Sequence, residues 1–150
     1  MRAGVSIITE LVFNRMKINK KTIKMNKEII NTQQAPAAIG PYSQAVKAGN
    51  LLFVSGQIPI NPITNEIPQF IEEQTYQVMR NIKAILSEAG LDWSHVLKTT
   101  IFLTDMQDFA KVNEIYASYF SADFPARECV QVSRLPKDVS VEISVIAWNN

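Results

Sequence analysis

Two alternating runs near the C-terminal end constrain this chain most: Phe124-Pro-Ala-Arg-Glu-Cys-Val-Gln-Val-Ser-Arg-Leu-Pro-Lys-Asp-Val-Ser-Val-Glu-Ile-Ser-Val-Ile-Ala-Trp148. Period-2 alternation on both sides of Leu135-Pro136-Lys137-Asp138 predicts two strands joined by a turn. In the second, Val139, Val141, Ile143, Val145 and Ala147 share one face, and Ser140, Glu142 and Ser144 the other. In the first, Val130 and Val132 share a face, and Arg127, Cys129, Gln131 and Ser133 lie opposite. A hairpin that keeps both apolar faces together sets Gln131 or Ser133 across from Glu142. Its polar face then holds an arginine, a thiol and a carboxylate, which makes it the candidate for chemistry.

The same register separates those groups. Arg127 falls four or six residues from the partner of Glu142, roughly 13 to 20 Å at about 3.3 Å per residue. One small substrate can hardly touch both within one protomer. A face shared between subunits could bring one chain's arginine to another chain's glutamate.

Composition narrows the class. A chain of 150 residues, 47% hydrophobic and 19% charged, suits one domain with a real core. The formal net charge of +1 hides an asymmetry. Residues 1–24 carry six basic side chains against Glu10, and residues 25–150 carry nine basic and thirteen acidic. A mildly acidic folded part disfavours a nucleic-acid phosphate binder. The single cysteine, Cys129, rules out an internal disulfide and fits a reducing compartment. Together with the single histidine, His95, it leaves no His/Cys cluster for zinc, and no apolar run approaches a membrane span. The expectation is a soluble, metal-free protein.

Residues 1–32 differ in style from the rest. Their basic flanks around Ile7-Ile8 and Leu11-Val12-Phe13 have the character of a mitochondrial or plastid transit peptide, although Ser is scarce. The alternative is an upstream start codon, with Met25 as the true start. The location is cytoplasmic, or mitochondrial or plastid if residues 1–24 are a transit peptide.

From Ala35 the chain becomes organised. Two prolines, Pro36 and Pro41, bar a helix from the lead-in. Ser43–Lys47 and Leu51–Ser55 read as strands around a Gly49-Asn50 turn, with Gln57–Ile60 extended beyond Gly56. Ile71, Thr75, Val78, Met79, Ile82, Ile85, Leu86 and Ala89 mark one helix face. Glu72, Glu73, Gln77, Arg80 and Lys83 mark its opposite side, and Gly90 the C-terminal stop. Trp93–Thr104 predicts a strand rich in β-branched residues. Asp105 or Asp108 can cap a second helix whose buried stripe is Phe109, Val112, Ile115, Tyr116, Tyr119 and Phe120. The order is ββ-helix-β-helix-ββ, an α/β (α+β) fold with two helices on one face of the sheet. The helix-free face, expected to carry Arg127, Cys129 and Glu142, must then meet water or another subunit.

Each candidate side chain has two readings. The Arg127 fork suits a carboxylate but also an ordinary surface salt bridge. Cys129 could be a nucleophile, yet it lacks a histidine partner; a packed thiol, or a residue serving through its backbone N–H, fits better. Glu142 can orient a water or pair with Arg134 or Lys137. Tyr42, Ser55 and Gly56 add a phenol, a hydroxyl and a close-approach backbone position. His95 reads as a surface residue. Taken together these residues support a small-anion site and no particular reaction.

Five stretches carry a resemblance: Ala35-Pro-Ala-Ala-Ile-Gly-Pro-Tyr-Ser-Gln44, Phe53-Val-Ser-Gly-Gln-Ile-Pro59, Lys98-Thr-Thr-Ile-Phe-Leu-Thr-Asp105, Phe124-Pro-Ala-Arg-Glu-Cys129 and Arg134-Leu-Pro-Lys-Asp-Val-Ser-Val-Glu-Ile143. In this order they resemble the Rid (YjgF-type) reactive intermediate deaminases, in particular the RidA subgroup. The resemblance divides the chain into an extension, 1–32, and a Rid domain, 33–150. It implies a chorismate-mutase-like fold assembled as a homotrimer with sites between subunits. It also implies hydrolysis of 2-imino acids or their enamine tautomers to 2-oxo acids and ammonia. The implied substrates are 2-iminobutanoate and 2-iminopropanoate, released by pyridoxal-phosphate enzymes, so that the role is to pre-empt metabolite damage.

By position, the resemblance makes Arg127 the clamp on the substrate carboxylate and gives the backbones of Cys129 and Gly56 its other polar atoms. Glu142 would hold the attacking water, with Tyr42, Ser55 and Asn113 lining the pocket and Tyr42 a candidate to assist proton transfer. No cofactor or metal is implied. The rival readings are a trimer that binds small oxo or imino acids without turnover, and a ribonuclease or translation inhibitor, which the acidic folded part disfavours.

Overall fold

A computed structural model of the chain describes residues 26–149; the expectations for residues 1–24 lie outside them. Six strands form one mixed sheet: β1 (Lys27–Ile30), β2 (Ala45–Ala48), β3 (Leu51–Gln57), β4 (Val96–Leu103), β5 (Ala126–Gln131) and β6 (Val141–Trp148). Among the described residues two helices, α1 (Ile71–Glu88) and α2 (Phe109–Ala117), complete the α+β fold. The spatial order is β1-β2-β3-β6-β4-β5. The first strand, Lys27–Ile30, falls inside the segment set apart as 1–32 and pairs antiparallel with β2.

The stripe of α1 buries Val78, Met79, Ile82 and Ile85 completely. Its stop is a Schellman arrangement. Gly90 adopts φ +73, its N–H donates to the Ser87 carbonyl at 3.0 Å, and the Leu91 N–H donates to the Leu86 carbonyl at 2.8 Å. Gln77, expected on the solvent side, is buried instead. Its Nε2 donates to Asn81 Oδ1 at 2.8 Å, and Asn81 Nδ2 donates to the carbonyls of Ile58 and Ile60 at 3.1 and 3.0 Å. This polar link ties α1 to the segment leaving β3, where burial is offset by hydrogen bonds.

The second helix is reached through a 3-10 turn, Met106–Asp108, whose first residues are capped by Asp105: its Oδ1 accepts the Gln107 N–H at 2.8 Å. Val112, Ile115 and Tyr116 are buried. Tyr119 and Phe120 lie past the helix end and meet Trp93 edge-on, with ring centroids 5.4 Å apart in both pairs. The predicted strand at 93–104 starts three residues later, because Asp92 caps a 3-10 turn at Trp93–His95.

The predicted C-terminal hairpin does not form. β6 runs between β3 and β4, antiparallel to both, while β5 lies parallel to β4 at the sheet edge. Glu142 therefore stands beside Phe102, not Gln131 or Ser133. The alternating residues of β6 are buried to 2% exposure or less, from Val141 to Ala147. A strand sunk that deeply needs partners on both edges for its backbone N–H and C=O groups. The connection makes this possible by passing over the end of β4. Val132 N–H donates to the Leu103 carbonyl at 2.8 Å, and Thr104 N–H to the Ser140 carbonyl at 3.1 Å.

The faces are also reassigned. Laterally paired residues on neighbouring strands point the same way, and Arg127 and Cys129 pair with Thr99 and Ile101, both buried under the helices. Arg127 and Cys129 thus share the helix-covered side, and Val130 is on the helix-free side at 43% exposure. Only Glu142 occupies the face expected for all three. Two valines on a short edge strand were a weak guide to the core, because the opposite side of that strand packs its Cys129 thiol against the core and sets Arg127 against Asn113 and Tyr116 of α2.

Candidate active site

On the helix-free face, a break in register between Val54 and Gln57 of β3 marks a bulge at Ser55 and Gly56. It brings the β3 backbone against the Glu142 carboxylate: a Cβ on Gly56 would stand 2.8 Å from Glu142 Cδ. The missing side chain is what lets the carboxylate lie over the strand. Ile39, Tyr42, Ser55, Gly56, Ile58, Pro136 and Glu142 enclose a cavity of about 270 Å³. Four residues singled out from the sequence (Tyr42, Ser55, Gly56 and Glu142) meet there.

Glu142 is half-buried, and desolvation holds its carboxyl above the usual carboxylate range. Neither suggested ion pair forms. Arg134 instead grips Asp138 through Nε and Nη2 at 2.5 and 3.0 Å, and Lys137 makes no ion pair among the described residues. The Ser55 hydroxyl donates to the Ser43 carbonyl at 2.7 Å, so its proton is committed to the fold. Tyr42 is exposed, and its hydroxyl oxygen accepts the Ile39 N–H at 3.4 Å.

Arg127 lies on the other side of the sheet. Its Nη1 donates to Asn113 Oδ1 at 2.8 Å, and Cζ stands 4.9 Å from the ring centre of Tyr116 and 5.7 Å from that of Phe109. No carboxylate pairs with it among the described residues. The adjacent Glu128 faces the opposite way, bonded to Lys98 Nζ at 3.1 Å and to the Thr100 hydroxyl at 2.9 Å. The surface salt bridge considered for Arg127 is therefore not formed, and most of its fork is available to an anion. Burial pushes the Cys129 thiol up against the smaller downward pull of Arg127, so it is a protonated thiol at neutral pH rather than a nucleophile. Asn113 is brought to Arg127 by α2.

Two half-sites result. Arg127, Asn113 and Cys129 form one; Tyr42, Ser55, Gly56 and Glu142 form the other. Arg127 is level with Thr99 and Val145, three residues along β6 from Glu142 and two strands away. That is about 10 Å in each direction, on opposite faces of the sheet.

Two wider grooves of about 550 Å³ each run along α1 and the segment after β3, and contain none of these residues. They are shallow and meet at Asn61, Gln77 and Arg80. His95 is bonded to Asp92 Oδ1 at 2.9 Å within its own turn and joins neither half-site.

A protein-family model described as Endoribonuclease L-PSP matches residues 32–149. A RutC family protein of Pyrococcus horikoshii is 59% identical over 123 residues, covering 81% of this chain and 98% of its own length. The Escherichia coli protein TdcF, provisionally named a reactive intermediate deaminase, is 51% identical over 124 residues, with coverage of 81% and 96%. This chain belongs to the YjgF/Rid family. The crystal structure of E. coli TdcF with bound serine superposes with a TM-score of 0.80 at 49% identity, covering 82% of this chain and 99% of that one.

Against this Rid fold, the residues that sequence reasoning passed over are instructive. Tyr116 read as part of a buried stripe and Thr99 as a strand residue, yet both stand beside Arg127. The signal was there in the register: Thr99 is the neighbour of Arg127 once β4 and β5 are known to be parallel. Ile39, Ile58 and Pro136 complete the walls of the Glu142 cavity, from segments read only as lead-in, extension and turn.

Proposed function

We propose that this chain hydrolyses reactive 2-imino acids or their enamine tautomers to 2-oxo acids and ammonia, at sites between the subunits of a homotrimer. The observation that carries this reading is the split site: an unpaired guanidinium on one sheet face and a desolvated carboxylate on the other, too far apart for one small substrate. A second protomer, docking its helix-free face beside β5, would bring its Glu142 half to this chain's Arg127 half. That face exposes Phe53, Val130 and Trp148 at 42–43% each, an apolar surface fit for burial between copies. TdcF, a relative provisionally named a reactive intermediate deaminase and solved with bound serine, supports the reading.

The chemistry follows from the groups present. The Arg127 fork holds the substrate carboxylate, with Asn113 fixing one arm of the guanidinium. Glu142 accepts a hydrogen bond from a water poised over the imine carbon. As the water oxygen bonds to that carbon, the π pair of the C=N bond moves to nitrogen, and the proton that the water gives to Glu142 is passed on to that nitrogen. The carbinolamine then expels ammonia: Glu142 takes the hydroxyl proton and hands it to the departing nitrogen as the C–N bond breaks and the hydroxyl oxygen becomes the carbonyl of the 2-oxo acid. A carboxyl raised by burial is a stronger base for the first proton and a ready donor for the second. Tyr42, exposed at the rim, is the further candidate for relaying protons. Positioning and charge supply most of the acceleration that an already reactive imine needs. We take the substrates as 2-iminobutanoate and 2-iminopropanoate.

Threonine dehydratase with threonine generates the first of these in place. Faster loss of its imine signal in the presence of this protein, abolished in Arg127→Ala with the trimer retained, is the expected result. Unchanged decay with an intact trimer would replace the enzyme by a non-catalytic oxo-acid or imino-acid binder. Cleavage of RNA by the same preparation would support the activity named in the family description, against which the acidic balance of residues 25–150 stands.

A further inference from the structure

Arg127 is held by more than Asn113. Its ladder neighbour on β4 is Thr99, fully buried on the same face. Tyr116 on α2 bridges the two: its hydroxyl donates to Thr99 Oγ1 at 3.1 Å, and its ring lies 4.9 Å from Arg127 Cζ. The phenol is 3% exposed. Burial raises its pKa, outweighing the opposing effects of Thr99 and Arg127, so the group stays neutral and keeps its proton for Thr99. Strand register, hydroxyl pair and ring face therefore close a loop around one guanidinium.

We propose that Tyr116 is a positioning residue, locked by Thr99, whose ring is the platform that aims the free N–H groups of Arg127 at the substrate carboxylate. This rests on the reading of Arg127 as the carboxylate clamp. A ring face fixes the plane of a guanidinium and leaves its edge donors free, whereas a carboxylate partner would consume them. Asn113 engages one donor, and the plane set by Tyr116 settles where the others point. With neither, the arginine would lose rotamer freedom on every binding event.

The test reads the arginine itself and its ligand. In the ¹⁵N-labelled protein, relaxation of the Arg127 Nε–H group reports guanidinium order, and titration with 2-oxobutanoate reports affinity. Tyr116→Leu should loosen the guanidinium and weaken 2-oxobutanoate binding about ten-fold, raising KM for the imine more than it lowers kcat. Tyr116→Phe keeps the ring but not its bond to Thr99, so it should loosen the guanidinium and weaken binding less than Tyr116→Leu does. Thr99→Val, which keeps the shape of the side chain, should loosen the guanidinium even if Tyr116→Leu fails to fold. An Arg127 as ordered and as tight-binding in Tyr116→Leu and Thr99→Val as in the wild type overturns the proposal. Wild-type affinity in Arg127→Ala would instead remove the clamp reading, while the relaxation measurement still decides whether Tyr116 orders the guanidinium.

Discussion

Gly56 and Glu142 are in contact across the β3–β6 pairing, with the carboxylate lying where a Cβ on residue 56 would be. The backbone of Gly56 does not adopt a positive φ, so space rather than conformation demands the glycine. Gly56→Ala should push the carboxylate aside, abolish turnover and cost roughly 1–3 kcal/mol of stability through overpacking. In Gly56→Ala/Glu142→Ala the clash disappears, so urea midpoints should recover while activity does not.

The raised carboxyl of Glu142 makes stability depend on pH in a direction opposite to the usual carboxylate. Its folded pKa lies above the unfolded value, so the folded state binds the extra proton between the two. The associated stability is fully present below about pH 4.5 and is lost as pH rises through the folded pKa. Glu142→Gln, never charged, should melt above the wild type at neutral pH and match it near pH 4. Differential scanning across that range checks the sign: a variant less stable at pH 7 would mean that the carboxylate is held by a cation in the assembled protein. Turnover should fall on the acid side as the same group is protonated.

Asn81 has no part in either half-site but closes the gap between α1 and the segment leaving β3. Asn81→Leu would leave the Ile58 and Ile60 carbonyls and the Gln77 amide without their partners. The expected loss is about 1–3 kcal/mol in urea denaturation at fixed protomer concentration. Because Ile58 also lines the Glu142 cavity, KM should rise modestly as that wall loosens.

The reach of sequence reasoning divides along a physical line. The span of α1 and its stop at Gly90 are local: a 3.6-residue stripe and a residue free to adopt positive φ say where a helix lies whatever surrounds it. The buried face of β6 is local too, because five alternating apolar residues have only one place to go. Which strand lies beside which is not local. The turn at Pro136–Asp138 read as a hairpin because a hairpin is the shortest route. The structure instead routes the chain over the end of β4, which the buried depth of β6 requires. Arg127 suffered most from this, since its face depended on two valines of an exposed edge. Glu142, on a strand with a decisive pattern, was placed on its proper side.

Phe53 lies exposed on the helix-free face between the half-buried Val46 and Ile146. Phe53→Glu should yield a monomer of about one third the mass of the proposed trimer by light scattering, still folded by circular dichroism, since no core residue is touched. Such a monomer should retain both half-sites and lose turnover. Full activity in a monodisperse monomer would eliminate the inter-subunit site.

Complementation tests the shared site most directly. Arg127→Ala and Glu142→Ala should each be inactive as pure trimers, for every site then lacks one half. Mixed trimers differ. In the proposed cyclic assembly each site would take its arginine from one chain and its glutamate from the next, so about a quarter of sites in a random equal mixture would join two intact halves. Co-expression of the two variants, or refolding them together, should therefore restore about that fraction of wild-type turnover, while mixing folded trimers without exchange should restore none. If both groups served the substrate from one chain, no mixture could contain an intact site and activity would stay at zero. The geometry leaves little room for that outcome: two strands and the thickness of the sheet separate Arg127 from Glu142 within each protomer.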